Sequence, residues 1–302
     1  MIYTCTFSPA IDYTPYVARF ETGKLNRATS VNYLPGGKGI NVSRVLTTLH
    51  TASTALGYVG GFTGNYLTQM LHEQHIQTDF IQTNDMTRIN VKIKSDVETE
   101  LNGPSPTITT AMYEQLLHKI ALLESDDWFV LSGTVPEGLD LKALLDMLAQ
   151  KNVKLVADIA GQVLHEIAPY KPVLVKPNLE ELGALFGTTL VTVEEAIPYA
   201  KRLVALGVQN VIVSLGGAGA LFVSEEQVYY AAAPVGEVVN TVGAGDSVVA
   251  ATIATYCQTE EWLKAFQYGV AAGSATAFQL DLCQEQDILD LVNKVIVKNF
   301  KG

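Results

Sequence analysis

Several features that would assign this chain to a large protein class are missing from its sequence. The three cysteines (Cys5, Cys257 and Cys283) are odd in number and widely spaced, so neither a disulfide framework nor a metal-ligand pair is indicated. The longest apolar runs are far too short to span a membrane. The net charge of −11 disfavours nucleic acid and anionic membrane surfaces as partners. We therefore expect a cytoplasmic protein that binds neither a membrane nor nucleic acid.

Common catalytic motifs are missing too. The chain has no Walker A sequence and no Gly-x-Ser-x-Gly elbow, which excludes the usual P-loop nucleotide site and the α/β-hydrolase nucleophile. The run Gly216-Gly-Ala-Gly219 lacks the last glycine of a dinucleotide fingerprint. A strand-like segment follows that run, where a helix should begin. A nicotinamide enzyme is therefore disfavoured.

What the sequence does contain is a regular alternation of apolar strands and amphipathic helices. Strands at 128–131, 153–157, 173–175 and 211–213 are apolar throughout, and helices are expected near 246–257, 260–278 and 286–298. This pattern predicts an α/β protein with a parallel sheet covered on both faces. No linker or composition break divides the chain, so a single domain over 1–302 is expected.

Polar residues cluster where the predicted strands end. The clusters are Asp12, Ser132-Gly133, Asp158, Lys176 to Asn178, and Ser214 to Gly216. Ligands of parallel sheets bind at the carboxyl ends of the strands. The sequence thus predicts one polar groove at that edge of the sheet.

Two glycine segments lead into helices. In the second, Gly243 and Gly245 can turn backbone N–H groups toward an anion, with Asp246 beside it as general base. A plain glycine turn with Asp246 as a helix N-cap is the alternative. In the first, Gly36 to Asn41 brings Lys38 and Asn41 to a helix start, although a tight strand-to-helix connection gives the same pattern.

Two further patterns have both a functional and a structural interpretation. Residues 88–94 alternate strictly, with Ile89, Val91 and Ile93 on one face and charged or amide side chains on the other. This is typical of a lid over a ligand or of a solvated edge hairpin. Asn178 and Glu181 lie three residues apart at a helix start, where they could hold hydrated Mg²⁺ through its waters or simply cap the helix.

Together these segments resemble the ribokinase-like family of sugar kinases. Gly36 to Asn41 is similar to its first glycine signature, Thr241 to Asp246 to its second, and Asn178-x-x-Glu181 to its magnesium-associated motif. The resemblance implies a three-layer α/β/α fold with a mainly parallel central sheet and a small β-strand lid from about 12–34 and 88–103. Asn240 departs from the aspartate that many members have before the threonine.

Within the family, residues 87–92 and 98–104 are most similar to the branch that phosphorylates fructose 1-phosphate at its 6-hydroxyl with ATP and Mg²⁺. The resemblance implies that Asp246 is the general base, with Gly243, Ala244 and Gly245 as the turn around the transferred phosphoryl group. The implied sugar-phosphate ligands are Asp12, Lys24, Gly37, Lys38, Asn41, Arg88, Asn90, Ser132 and Gly133. The implied ATP ligands are Lys176, Asn178, Ser214, Gly216, Gly219 and Ser274, and Asn178 with Glu181 would hold Mg²⁺ through water.

The sequence leaves three alternatives open. A tagatose-6-phosphate kinase would share every catalytic feature. A catalytically silent regulator that binds a sugar phosphate could use the same scaffold. The apolar face of the lid could be covered by a second subunit in a homodimer, or it could pack on its own domain.

Overall fold

The computed structural model describes residues 1–300, so the last two residues of the predicted domain lie outside it. Its strands are β1 (Ile2–Thr6), β2 (Ala10–Tyr16), β3 (Ser30–Gly36), β4 (Ser53–Val59), β5 (Gln77–Thr78), β6 (Ile81–Gln82), β7 (Arg88–Ile93), β8 (Thr99–Asn102), β9 (Trp128–Ser132), β10 (Lys154–Asp158), β11 (Leu174–Val175), β12 (Asn210–Ser214), β13 (Ala220–Ser224), β14 (Val228–Ala231) and β15 (Val297–Asn299). Its α-helices are α1 (Lys38–Thr48), α2 (Gly61–Glu73), α3 (Thr110–Ala121), α4 (Lys142–Gln150), α5 (Val163–Ile167), α6 (Leu179–Leu185), α7 (Val193–Ala205), α8 (Ala244–Thr259), α9 (Trp262–Ala277) and α10 (Glu285–Val292).

The main sheet has eleven strands within the described residues. Its spatial order is β15-β14-β13-β12-β11-β10-β9-β1-β4-β5, with β6 also paired to β4. All pairs from β12 to β5 are parallel, whereas β13, β14 and β15 add an antiparallel edge. The predicted mainly parallel sheet is therefore confirmed.

Helices cover both faces of this sheet, as the apolar strands require. In β9, Trp128 and Val130 join a buried cluster with α1, α8, α9 and α10. Phe129 and Leu131 point the other way, into a cluster with α3, α4, α6 and α7. Each fully buried large side chain of this kind stabilises the fold by about 1.5–3 kcal/mol. The result is the three-layer α/β/α arrangement.

A small sheet of four strands, in the order β3-β2-β7-β8, occupies the segments predicted to form a lid. Strand β2 lies inside this sheet, between β3 and β7. Along β7 the polar residues Asn90 and Lys92 are buried, whereas Ile89 is 40% exposed. The polar face of the small sheet therefore turns inward, and its apolar face turns to solvent.

One predicted helix is shorter than its sequence pattern. Helix α10 ends at Val292, and residues 297–299 form β15 at the edge of the main sheet, where the predicted helix would have continued. No helix within the described residues 1–300 has both the length and the apolar character needed to cross a membrane.

Candidate active site

The predicted groove lies between the carboxyl ends of the main-sheet strands and the inner face of the small sheet. Its lining includes side chains or backbone of Thr6, Ser8, Asp12, Gly37, Lys38, Asn41, Arg88, Asn90, Lys92, Glu100, Asn102, Gly133, Thr134, Lys176, Asn178, Glu181, Ser214, Val242, Gly243, Gly245 and Asp246. Both glycine segments therefore face the same space.

The second glycine segment forms the N-terminus of α8. Gly243 is the N-cap residue, with a φ of 79° that L side chains rarely adopt. A Cβ on Gly243 would lie 2.4 Å from Leu282 Cδ2, so both conformation and space require glycine here. The N-terminus of α8, where the first N–H groups have no intrahelical partner and the helix dipole is positive, borders the groove through Gly243 and Gly245. The Ala244 N–H donates to the Thr241 carbonyl over 3.3 Å. This is the geometry of an anion cradle.

Asp246 directly follows the cradle in the first turn of α8, and it is not the N-cap. Asn41 Nδ2 donates to Asp246 Oδ2 over 2.8 Å. Burial and the nearby charge of Asp158 raise the pKa of Asp246 to about 6, against opposing effects of Asn41, Lys38 and Lys176. Such a carboxylate is mostly ionised at neutral pH and yet basic enough to accept a proton.

Two lysines converge on a buried carboxylate beside Asp246. Lys176 Nζ lies 3.2 Å and Lys38 Nζ 3.4 Å from Asp158 Oδ1. Lys38 Nζ also lies 4.0 Å from Glu181 Oε1. Burial lowers the pKa of Lys38, but Asp158, Glu181 and Asp246 outweigh it and the pKa is raised. Lys38 is therefore held as a cation beside this carboxylate, and the ammonium of Lys176 is paired with the same oxygen.

Asp12 is tied to the neighbouring strand of the small sheet. Asn90 Nδ2 donates to Asp12 Oδ1 over 3.0 Å, and Lys92 Nζ donates to Asp12 Oδ2 over 2.8 Å. Arg88, on the same face, reaches the Gly103 carbonyl through Nη1 at 3.4 Å, while its buried Nε has no partner among the described residues. Burial lowers the pKa of Arg88. An unpaired buried donor of this kind is suited to an anionic ligand.

Asn178 and Glu181 form a capping box at the start of α6. Asn178 Oδ1 accepts from the Glu181 N–H over 2.7 Å, and Glu181 Oε2 accepts from the Asn178 N–H over 2.8 Å. The structural interpretation of this motif is therefore confirmed. Both residues also line the groove, and Glu181 Oε1, near Lys38, takes no part in the cap.

A second cavity adjoins the groove where both share Asn178, Ser214 and Gly245. It is more apolar, and its lining includes Gly216, Gly219, Val235, Val238, Ala244, Val248, Val270, Gly273, Ser274 and Phe278. Gly219 has a φ of 103°, and a Cβ there would lie 2.0 Å from the Ala231 carbonyl oxygen. The hydroxyl of Ser274 donates to the Val270 carbonyl over 2.9 Å. The cavity offers an apolar slot beside the cradle, of a kind suited to a planar ring.

Comparison with known proteins identifies the group to which this site belongs. A model described as pfkB family carbohydrate kinase matches residues 1–286. The chain belongs to this family. A 1-phosphofructokinase of Bacillus subtilis is 45% identical over 300 residues, covering 98% of this chain and 99% of the relative. A D-tagatose-1-phosphate kinase of Bacillus licheniformis is 35% identical, covering 93% and 94% respectively.

Solved structures of carbohydrate kinases share the fold. Phosphofructokinase-2 from Escherichia coli, in complex with substrates and products, has a TM-score of 0.91 at 29% identity, covering 97% of this chain and 99% of that one. A ribokinase from Thermotoga maritima has a TM-score of 0.78 at 20% identity, covering 97% and 99%. The fold is thus ribokinase-like, as the glycine signatures indicated.

Most of the predicted site residues of this carbohydrate kinase come together in the groove or the second cavity. Ser132 lies just below the groove, at the end of β9, buried and with its hydroxyl unpaired among the described residues. Lys24 does not join them. Its side chain is 68% exposed in the loop between β2 and β3, where it pairs with Glu21.

Two residues that shape the site were not predicted as part of it. Asp158 was noted only as a polar strand end, although it binds both groove lysines. Lys92 was not among the predicted site residues, although it binds Asp12. A signal for Lys92 was present in the alternation of residues 88–94, which puts it on the same face as Arg88 and Asn90. The sequence held no signal for the Asp158 contacts, because they join three separate parts of the fold. Asp158 ends β10, Lys176 follows β11 and Lys38 begins α1.

Proposed function

We propose that this pfkB-family kinase transfers the γ-phosphoryl group of ATP to the 6-hydroxyl of fructose 1-phosphate, giving fructose 1,6-bisphosphate and ADP. The observation that carries the proposal is the placement of Asp246. Its carboxylate borders both the anion cradle of α8 and the inner face of the small sheet, with one oxygen fixed by Asn41. The name of the 45% identical relative supports the choice of substrate.

In the proposed reaction Asp246 takes the proton of the 6-hydroxyl. The hydroxyl oxygen then bonds to the γ-phosphorus, the bond from that phosphorus to the β–γ bridging oxygen breaks, and ADP leaves with the electron pair. The backbone N–H groups of Gly243, Ala244 and Gly245 stabilise the charge on the moving phosphoryl oxygens. Lys176 lies close enough to the cradle to offset that charge, since a Cβ on Gly245 would lie 3.0 Å from Lys176 Nζ. Lys38 lines the same groove and adds a second cation.

The other end of the sugar faces the small sheet in this proposal. Arg88, with its unpaired buried Nε, binds the 1-phosphate, and Asp12, Gly37, Lys38, Asn41 and Asn90 surround the sugar hydroxyls. Asn90 Oδ1 is buried and unpaired among residues 1–300, so it can accept a hydroxyl hydrogen. Lys24 does not line the groove within one subunit, because its exposed side chain pairs with Glu21. We propose that the small sheet acts as a lid that excludes water during transfer.

ATP is proposed to lie with its adenine in the second cavity and its phosphates along Lys176, Asn178 and Ser214. Within residues 1–300 no group of three His, Cys, Asp or Glu side chains is placed to hold a metal ion. This fits Mg²⁺, which keeps several waters and binds chiefly to the nucleotide phosphates. Glu181 Oε1, which the capping box leaves free, and Asn178 would hold those waters, and the ion would neutralise phosphate charge.

The rival substrate with a specific observation behind it is tagatose 1-phosphate, because the 35% identical relative is named for it. This replaces tagatose 6-phosphate as the first rival to test. Tagatose 1-phosphate differs from fructose 1-phosphate only in the configuration at carbon 4, so it satisfies the same base and the same phosphate contact.

One set of steady-state measurements tests these alternatives. ADP release is coupled to NADH oxidation with fructose 1-phosphate, tagatose 1-phosphate, tagatose 6-phosphate and fructose 6-phosphate as acceptors. We expect the highest kcat/KM with fructose 1-phosphate. A higher kcat/KM with any other acceptor would replace the proposed substrate. Absence of sugar-dependent ADP release with all four would favour the catalytically silent regulator.

We further propose a homodimer formed through the outer face of the small sheet. A cross-strand row of Tyr33, Tyr13, Val91 and Leu101 is set by the pairing of the four strands. Tyr33 is 49% and Leu101 69% exposed, which is unusual for a row of large apolar side chains. Light scattering on the wild type and on Leu101→Lys tests this. We expect a dimer and a monomer respectively, and a monomeric wild type would contradict the proposal.

A further inference from the structure

Lys92 is a buried cation on the groove face of the small sheet, and its partner is Asp12. The side chains of Lys92 and Asp12 are only 11% and 12% exposed, and the ammonium lies 2.8 Å from the carboxylate. Asn90 binds the other carboxylate oxygen. Both oxygens of Asp12 are thus held from the adjacent strand, β7.

Stability alone is a poor reason for this pair. Removing two charges from water costs about as much as their attraction returns, so apolar side chains of similar size stabilise a fold at least as well. The small sheet also has ample apolar residues, which it leaves exposed on its outer face. The position of the pair at the groove points instead to a ligand.

The charges on this face explain what the pair does. Four charged side chains of the small sheet line the groove. Arg88 and Lys92 each carry a formal positive charge and Asp12 and Glu100 a formal negative charge, so the net charge of this face is zero. The strand register puts Glu100 directly opposite Lys92. Without Lys92 the face would carry a net negative charge toward the groove. A phosphate dianion would then meet repulsion that Arg88 alone has to offset.

We propose that Lys92 is a positioning residue that sets the preference for a phosphorylated sugar, because it neutralises Asp12 and so lets the small sheet accept a dianionic substrate. The inference rests on the proposed function. It names the residue on which the preference of the kinase for phosphorylated sugars depends. Lys92 acts through Asp12, to which its ammonium is already bound, while the phosphate itself is bound by Arg88.

A double-mutant cycle with a matched control tests this. The variants are Lys92→Met, Asp12→Asn, both together, and Lys94→Met as control. Lys94 lies two residues further along the chain, pairs with Glu98 and does not line the groove. The readouts are kcat and KM for the better of fructose 1-phosphate and tagatose 1-phosphate, and the thermal midpoint of each variant.

We expect Lys92→Met to raise KM for the sugar phosphate by roughly 30-fold or more, with kcat reduced less than KM is raised, because an uncompensated buried charge then faces the ligand. In the Asp12→Asn background the same change should raise KM by less than about threefold, because no charge remains to be neutralised. Lys94→Met should behave like the wild type. The thermal midpoint should fall in Lys92→Met and recover in the double variant.

Two outcomes overturn the inference. An equal rise in KM in both backgrounds would mean that Lys92 binds the phosphate directly. Wild-type kinetics of Lys92→Met would mean that the residue does not influence substrate choice. A wild-type enzyme without activity on any sugar phosphate would instead refute the proposed function itself, so the two failures are distinguishable.

Discussion

Asn41 Nδ2 lies 2.8 Å from Asp246 Oδ2, although the two residues are 205 positions apart in the chain. This hydrogen bond joins the first glycine segment, at the start of α1, to the second, at the start of α8. A donor to the ionised form lowers the pKa of Asp246, against the burial and the Asp158 charge that raise it. The two glycine signatures therefore meet at one hydrogen bond, in which the first segment holds the carboxylate that we propose as the base.

Replacing Asn41 should change both the pKa and the orientation of the Asp246 carboxylate. In Asn41→Ala the stabilising donor is lost, so the pKa of Asp246 rises and the acid limb of the kcat/KM profile moves to higher pH. We also expect kcat/KM at neutral pH to fall by about 10- to 100-fold, since the carboxylate is no longer oriented. The pH dependence of sugar-phosphate kinetics measures both effects. An acid limb at the wild-type pH would show that Asn41 does not set the ionisation of Asp246.

Asp158→Asn should shift the same limb in the opposite direction. The charge of Asp158 disfavours ionisation of Asp246, whose pKa is raised to about 6. An uncharged amide removes that effect, so Asp246 ionises at lower pH and activity persists further into acid. Sugar phosphates also ionise near pH ~6, so only the difference between variant and wild type on one substrate is diagnostic. A shift toward higher pH would contradict the assigned coupling.

Arg88→Ala should weaken binding of the sugar phosphate and leave ATP binding intact. The lost guanidinium is the proposed phosphate ligand, and a charge-assisted hydrogen bond contributes enough for KM to rise by roughly 10- to 100-fold. Initial rates with each substrate varied in turn give the two KM values. Lys94→Ala is the matched control from the outer end of the same segment. An effect confined to KM for ATP would mean that the small sheet faces the nucleotide.

The two glycines of the cradle should respond differently to alanine. Gly243 has a positive φ and no room for a methyl group, so Gly243→Ala should reduce the free energy of unfolding by about 1–3 kcal/mol. The Cβ at Gly245 would lie 3.0 Å from Nζ and 3.3 Å from Cε of Lys176 and near no backbone atom, so Gly245→Ala should lose less stability than Gly243→Ala but should lose activity with ATP. Urea denaturation and kinetics separate the two. Equal stability of both variants would contradict this difference.

The sequence was sufficient for the parts of the site that depend on local pattern. Glycine segments, apolar strands and the alternation of residues 88–94 each follow from a few adjacent residues, and the structure brings the corresponding side chains to one groove. Lys24 shows the limit, because a cation in a loop carries no signal for the direction in which the loop points. Its side chain turned to solvent beside Glu21.

Pairings between distant strands were also beyond the sequence. The apolar positions of residues 286–298 fit a helix, but β14 leaves an edge on which Val297 to Asn299 form a strand instead. Likewise the Asp158 contacts require Lys38 and Lys176 to approach from different elements. In each case a contact between distant parts of the chain decided the outcome. At residues 297–299 that contact also overrode the local helix propensity.

The measurement that tests the proposed mechanism most directly is the turnover of Asp246→Asn. Asparagine keeps the shape of the side chain and removes its ability to take a proton, so we expect kcat with fructose 1-phosphate to fall by about 10²–10⁴-fold. The thermal midpoint should stay the same or rise, because a buried charge with a raised pKa is removed. A folded Asp246→Asn protein that keeps the wild-type kcat would show that Asp246 is not the general base.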